Sequence, residues 1–192
     1  MKTIITLLVM LLSINLCKAQ GATLTKDETL KYIGKKIDES KGYKDKDYIT
    51  YLSIALGEAN INFSKVVCPY RSSENKSPNN RANTSYVEHY YDFIFNPVFI
   101  SSITNVYNAD QNVSYVRLHF NSKTVKCNYY FKYWKEVQVY RMNYDSHDGA
   151  KSYEYDYVDI PYLTADPTNF DKIKKAFEHL KTLSKVEDDP FG

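Results

Sequence analysis

The sequence predicts an α+β chain, mainly β: a strongly bent antiparallel sheet or small barrel of about seven or eight strands, with one helix before it and a longer helix closing it. Three observations carry that expectation. Apolar residues near each end recur at three- and four-residue steps; between Tyr48 and Ile160 the apolar period falls to two; and 19 tyrosines accompany only 6 glycines and 6 prolines. Tyrosine favours pleated, half-buried surfaces, and the change of period separates helix from strand. A helix-grip sheet, with the last helix lying across an open sheet around a cavity, satisfies the same pattern.

The chain opens with "MKTIITLLVMLLSINLCKA", residues 1–19: Lys2, an apolar run from Ile4 to about Leu16, then small and polar residues before Gln20. That is the layout of a secretory signal, and the run is shorter than the roughly 20 apolar residues a membrane span needs. The expectation is an exported periplasmic or extracellular protein with no membrane span, whose mature part, residues 20–192, is a single globular domain. Lipid anchoring through Cys17 is the lesser alternative, because the preceding "NL" lacks the small residue usual before a lipidated cysteine. Loss of the leader removes Lys2 and Lys18, so Lys plus Arg falls from 25 to 23, equal to the 23 acids. A formally neutral chain lacks the basic field that dominates nucleic-acid affinity, which argues against a nucleic-acid partner.

The first helix starts at Thr25-Lys26-Asp27-Glu28, a capping box in which hydroxyl and carboxylate satisfy each other's backbone N–H. Leu30, Ile33 and Ile37 form its apolar stripe and Gly42 marks its exit. Next, "YITYLSIAL" and the alternating Ile61, Phe63 and Val67 read as a hairpin turning at Gly57-Glu58. Residues 70–85, rich in Ser and Asn, form a long exposed loop. Val87, His89, Tyr91, Phe93 and Phe95 share one face of a strand that stops at Asn96-Pro97, and a further strand runs from Val98 to about Val106. Val116, Leu118 and Phe120 pair by pattern with Val125, Cys127, Tyr129, Phe131 and Tyr133 across Asn121-Ser122-Lys123. A last hairpin joins "EVQVYRMNY" to "KSYEYDYVDI" through Asp145–Gly149. The chain leaves the sheet at Pro161. A second helix opens near Asp166-Pro167-Thr168, and its stripe is Ile173, Ala176, Phe177, Leu180 and Leu183.

Two cysteines follow the leader, Cys68 and Cys127. A disulfide between them would close a loop of about 60 residues, worth about 4 kcal/mol on the chain-entropy argument; two buried thiols fit the sequence equally. Neither cysteine has a second Cys or a His at ligand spacing, so no metal or other cofactor is expected.

The residues that could carry chemistry fall in a few short stretches. In "SYEYDYVDI" Tyr153, Tyr155, Tyr157 and Asp159 alternate with Glu154, Asp156, Val158 and Ile160. The rings read first as cross-strand packing and second as a platform for sugar, peptide or protein. His89 falls on an apolar face, His147 in a turn beside Asp145 and Asp148, and His179 beside the last helix's stripe. Tyr115, Arg117 and His119 share a strand face opposite Val116, Leu118 and Phe120; such a trio could grip an anion, and it is the candidate ligand-binding set. No nucleophile elbow, metalloprotease helix, P-loop or dinucleotide fingerprint is present, so no catalytic residue is assigned.

At the final helix, "FDKIKKAFEHLKTLSKVEDDPFG" resembles the C-terminal signature of small exported proteins of Bacteroidota, with "K-A-x-x-H-L" and a terminal Pro-Phe; "LTKDETLKYIGKKIDE" resembles their N-terminal helix. The resemblance implies a pleckstrin-homology-like barrel between the two helices, and a packing or hydrogen-bonding role for His179. It implies no activity. The expected function is therefore a non-catalytic exported binding or interaction module of the cell envelope with a protein, peptide or glycan partner. The alternatives are a carrier of a small apolar or aromatic ligand and, third, a hydrolase using His119 or His147.

Overall fold

The capping box at Thr25 sets where the first helix begins. The computed structural model describes residues 24–45, 48–57, 59–69, 84–108, 112–137, 140–144 and 150–188. Within them α1 spans Lys26–Glu39, and both halves of the box form: the Glu28 N–H donates to Thr25 Oγ1 at 3.3 Å, and the Thr25 N–H donates to Glu28 Oε2 at 2.8 Å. Leu30, Ile33 and Ile37 are all buried. Three residues past the helix Gly42 takes φ +74° and donates its N–H to the Thr50 carbonyl at 2.9 Å. That left-handed conformation, which side-chain-bearing residues resist, turns the chain into the sheet.

Ten strands follow among the described residues: β1 Tyr43–Asp45, β2 Tyr48–Leu56, β3 Ile61–Pro69, β4 Thr84–Phe95, β5 Ile100–Val106, β6 Val113–Phe120, β7 Val125–Val137, β8 Tyr140–Tyr144, β9 Lys151–Tyr155 and β10 Tyr157–Leu163. The second helix, α2, spans Asn169–Asp188. Every strand pairing among the described residues is antiparallel. The class is thus α+β and mainly β, but the barrel is corrected. The strands form two open sheets, one of seven strands in the order β1-β2-β3-β4-β7-β8 with β9 on the free half of β7, and one of three in the order β5-β6-β10.

Two expected hairpins are corrected as well. β6 and β7 do not pair with each other across residues 121–124: β6 lies between β5 and β10, and β7 lies beside β4. "EVQVYRMNY" is itself split, with Glu136 and Val137 ending β7 and Tyr140–Tyr144 folding back on it as β8, while β9 takes the other half of β7. The physical cause is that the chain changes sheet between successive strands. It does so at the Pro97–Phe99 turn after β4, at residues 121–124 after β6, and at Asp156 between β9 and β10. At the last of these the Asp156 carbonyl accepts from the Phe120 N–H at 2.8 Å, which holds the two sheets together at the corner.

One core fills the corner. Ile61, Phe63, Phe95 and Val125 from the large sheet meet Val116, Leu118, Phe120, Val158 and Ile160 from the small one, with Ile33 and Ile37 of α1 and Ile173, Phe177 and Leu180 of α2. Phe95 and Phe120 close the seam edge to face, with centroids 5.7 Å apart, a favoured geometry for aromatic pairs. The two helices pack on each other; α1 also lies on β2 and β10, and α2 on β5, β6 and β10. So the last helix covers the small sheet, and α1 shares the sealing. α1 is brought close to β2 by Gly34, whose absent Cβ would stand 3.3 Å from Ile54 Cγ2. No helix among the described residues is long and apolar enough to cross a membrane. The expected leader, residues 1–19, and the 70–83 part of the expected loop lie outside the described residues.

Candidate functional site

Register decides which side chains share a surface, because direct partners in an antiparallel ladder stand on the same face. On the core-side face of the large sheet this gives the row Phe63, Phe93, Cys127, Tyr153 and, one step along, the row Lys65, Tyr91, Tyr129, Lys151. The first row starts buried at Phe63 and ends exposed at Tyr153. Beyond the helices the aromatic lining therefore emerges as a surface.

The rings form a connected band. Tyr91 meets Tyr129 at 5.1 Å and Phe93 at 6.4 Å between centroids; Phe93 meets Tyr155 at 6.3 Å; and Tyr155 meets both Tyr153 and Tyr157 at 6.3 Å. The tyrosines of "SYEYDYVD" thus keep to one side across the bend at Asp156, while Val158 and Ile160 supply the buried side of β10. At the far end the Arg117 guanidinium lies 4.3 Å from the centre of the Tyr157 ring. Desolvation raises the phenol pKa values of Tyr91 and Tyr155 above the ordinary 10.0, and neighbouring phenols push the same way. The hydroxyls stay protonated at neutral pH and can donate. His89, on the same face, shares a 2.9 Å hydrogen bond between Nδ1 and the Tyr129 hydroxyl.

The band leads into the face of the small sheet that carries the predicted trio. Tyr115, Arg117 and His119 do line one face of β6, but each already has a partner. Arg117 donates from Nε and Nη2 to the two carboxylate oxygens of Asp159, both at 2.7 Å. His119 Nε2 shares a 2.8 Å hydrogen bond with Thr104 Oγ1, and the Tyr115 and Tyr43 hydroxyls are 3.1 Å apart. The trio is thus brought onto one face with each member hydrogen-bonded, and the Asp159 carboxylate holds the guanidinium fork at two points. Asp159 and Tyr157, the partners that decide this, sit 42 and 40 positions further along the chain, and only knowledge that β10 pairs with β6 would have found them.

Of the two readings the sequence leaves open for Cys68 and Cys127, the structure has the unbridged one. Cys127 belongs to the row that contains Phe93, whereas Cys68 follows Val67, the partner of His89, and so points to the opposite face, with β4 between the two strands. No bridge can span that. Burial pushes the Cys127 thiol up to about 11, helped by the Asp92 charge. The opposite face carries a separate cluster, in which the Tyr90 hydroxyl donates to the buried Glu88 at 2.7 Å and its ring stacks on Tyr130 at 4.7 Å.

Of the remaining histidines, His179 donates from Nε2 to the Leu24 carbonyl at 2.8 Å and ties α2 to the segment that enters α1; His147 lies outside the described residues. No family model, curated protein or solved structure matches this chain.

Proposed function

We propose that the chain is an exported, non-catalytic binding module of the cell envelope whose ligand is an acidic glycan laid across the tyrosine band. The row Lys65, Tyr91, Tyr129, Lys151 carries the reading. It sets two stacking rings between two cations, and neither ammonium has a carboxylate partner among the described residues. Three strand spacings separate the lysines, about 14 Å, so a ligand that satisfies both is extended and carries more than one negative group. Phenol faces suit the apolar faces of sugar rings, and protonated hydroxyls suit their oxygens. The carrier and hydrolase alternatives have no comparable observation behind them.

Export rests on the leader pattern of residues 1–19. The relation to the Bacteroidota proteins, and with it the pleckstrin-homology-like assignment, rests on the two terminal helices. Their mutual packing and the His179 tether give those sequence signatures a shared structural purpose.

Titration calorimetry of the mature protein with a soluble polyuronate and an uncharged polysaccharide tests the reading. The polyuronate is expected to bind more tightly, with Tyr91→Ala and Lys151→Gln each weakening it about tenfold, in the range of a stacked ring or a charge-assisted contact. Tyr51→Ala, exposed on the other face of the large sheet, should change nothing. Equal affinity for both polysaccharides removes the acidic class, and tighter binding of poly-glutamate replaces glycan with peptide.

A further inference from the structure

A second feature lies apart from the tyrosine band, at the corner beneath α2. A cavity of about 470 Å³ opens between the Pro97–Phe99 turn, the start of β5, the 121–124 connection and the C-terminal half of α2. Its lining includes Phe99, Ser101, Ser122, Thr124, Lys181 and Lys185, and no acidic residue. Lys181 and Lys185 are one helical turn apart and face the same space. Like charges at that spacing repel by a few tenths of a kcal/mol, so the arrangement costs energy unless something negative sits between them.

The helix itself does not account for it. The field of a helix C-terminus favours cations only within the last turn, which suffices for Lys185 near the end at Asp188 but not for Lys181, about two turns before that end. Lys181 is half-buried, its ammonium donates to the Ile100 carbonyl, and no carboxylate pairs with it among the described residues. A half-buried cation facing hydroxyls and no acid is a receptor for an anion. The Ser101 hydroxyl donates away from the cavity, to the His119 carbonyl at 3.0 Å, whereas the Ser122 hydroxyl has no partner among the described residues and the Lys181 ammonium keeps protons beyond the one given to Ile100. Phe99, 53% exposed, forms an apolar lip. The volume falls within the roughly 300–1,000 Å³ of small-molecule sites, larger than a bare oxyanion fills.

We propose that this cleft binds a phosphate monoester: the doubly charged phosphate between Lys181 and Lys185, with the ester's apolar body against Phe99. Two ammonium groups match two negative charges, and the lip explains why an ester fits better than the free ion. The chemistry is the same for a soluble metabolite and for a lipid headgroup with a terminal phosphate.

Phenyl phosphate, inorganic phosphate and benzoate, titrated into the mature protein and followed by amide chemical shifts, test the proposal. Phenyl phosphate is expected to bind more tightly than either of the others and to shift residues 98–101, 121–124 and 181–185. Lys185→Gln, a change at an exposed side chain, should weaken it about fivefold and Lys181→Gln about tenfold or more. Lys65→Gln and Lys151→Gln should leave it unchanged, which keeps the result separate from the glycan reading. Co-sedimentation with phosphatidylcholine vesicles, with and without phosphatidic acid, then assigns the source: binding that needs phosphatidic acid and falls in Lys185→Gln points to a headgroup, and binding of the soluble ester alone points to a metabolite. The proposal is overturned if phenyl phosphate produces no shifts at roughly 10 mM, if both lysine variants bind it as the parent does, or if benzoate binds equally well.

Discussion

Arg117 and Asp159 face each other across the β6–β10 pair in a two-point ion pair, Nε to Oδ1 and Nη2 to Oδ2, both 2.7 Å. The pair is about one-third exposed at each side chain, 31% and 29%, so solvent screening limits its worth to about 1 kcal/mol. Asp159→Asn is expected to lower stability by that amount in urea unfolding. Arg117→Lys should recover little, because an ammonium cannot occupy both oxygens in the fork geometry. A double-mutant cycle giving no coupling would show that the contact is positional only.

A pH dependence follows from Asp166. Its carboxylate accepts from the Lys172 ammonium at 2.8 Å, the Thr168 hydroxyl at 2.6 Å and the Thr168 N–H at 2.9 Å, and these contacts hold its pKa well below the ordinary 3.8. A carboxyl with a depressed folded-state pKa adds stability above its unfolded pKa and loses it as pH falls toward the folded value. The gap in stability between the parent and Asp166→Asn should therefore be constant above about pH 5 and shrink below about pH 4. A gap unchanged down to pH 2 would mean that the carboxylate does not hold these contacts with Thr168 and Lys172 in solution.

Cys127 should be chemically silent in the folded state. With its thiol pushed up to about 11 and only 1% of its surface exposed, it is about one part in a thousand thiolate at pH 8. Iodoacetamide at that pH is expected to leave Cys127 unmodified until denaturant is added, and intact mass should show no disulfide between Cys68 and Cys127. Rapid native alkylation of Cys127 would place it on an open surface.

Phe177 is fully buried where α2 meets the core. Phe177→Ala is expected to cost about 3–5 kcal/mol through lost transfer energy and the cavity left behind, read as a drop in the urea midpoint with an unchanged slope. A loss under about 1 kcal/mol would mean that α2 does not seal the core.

Much of the local structure was legible in residues near one another. The Thr25/Glu28 box, the Leu30-Ile33-Ile37 stripe, the turn at Gly42 and the shared face of His89, Tyr91 and Phe93 all follow from the chain's own periodicity and capping chemistry, which act over a few residues. The Tyr115-Arg117-His119 face was legible for the same reason. What occupies that face was not, because Asp159 and Tyr157 arrive from β10.

The sequence by itself thus determined where the two helices and most strands lie and which side of each is apolar, since those depend on steps of two, three and four residues; it did not place the break before β8 or the run of β10 through Pro161 to Leu163. Only the tertiary structure decided that β6 abandons β7 for β5 and β10, that Cys68 and Cys127 stand on opposite faces, that Lys65 and Lys151 flank Tyr91 and Tyr129, and that two lysines meet the corner cavity. Alternating patterns are interchangeable between strands; which pair forms is fixed by the core that must be closed at the corner, with Phe95, Phe120 and Phe177 drawn from distant parts of the chain.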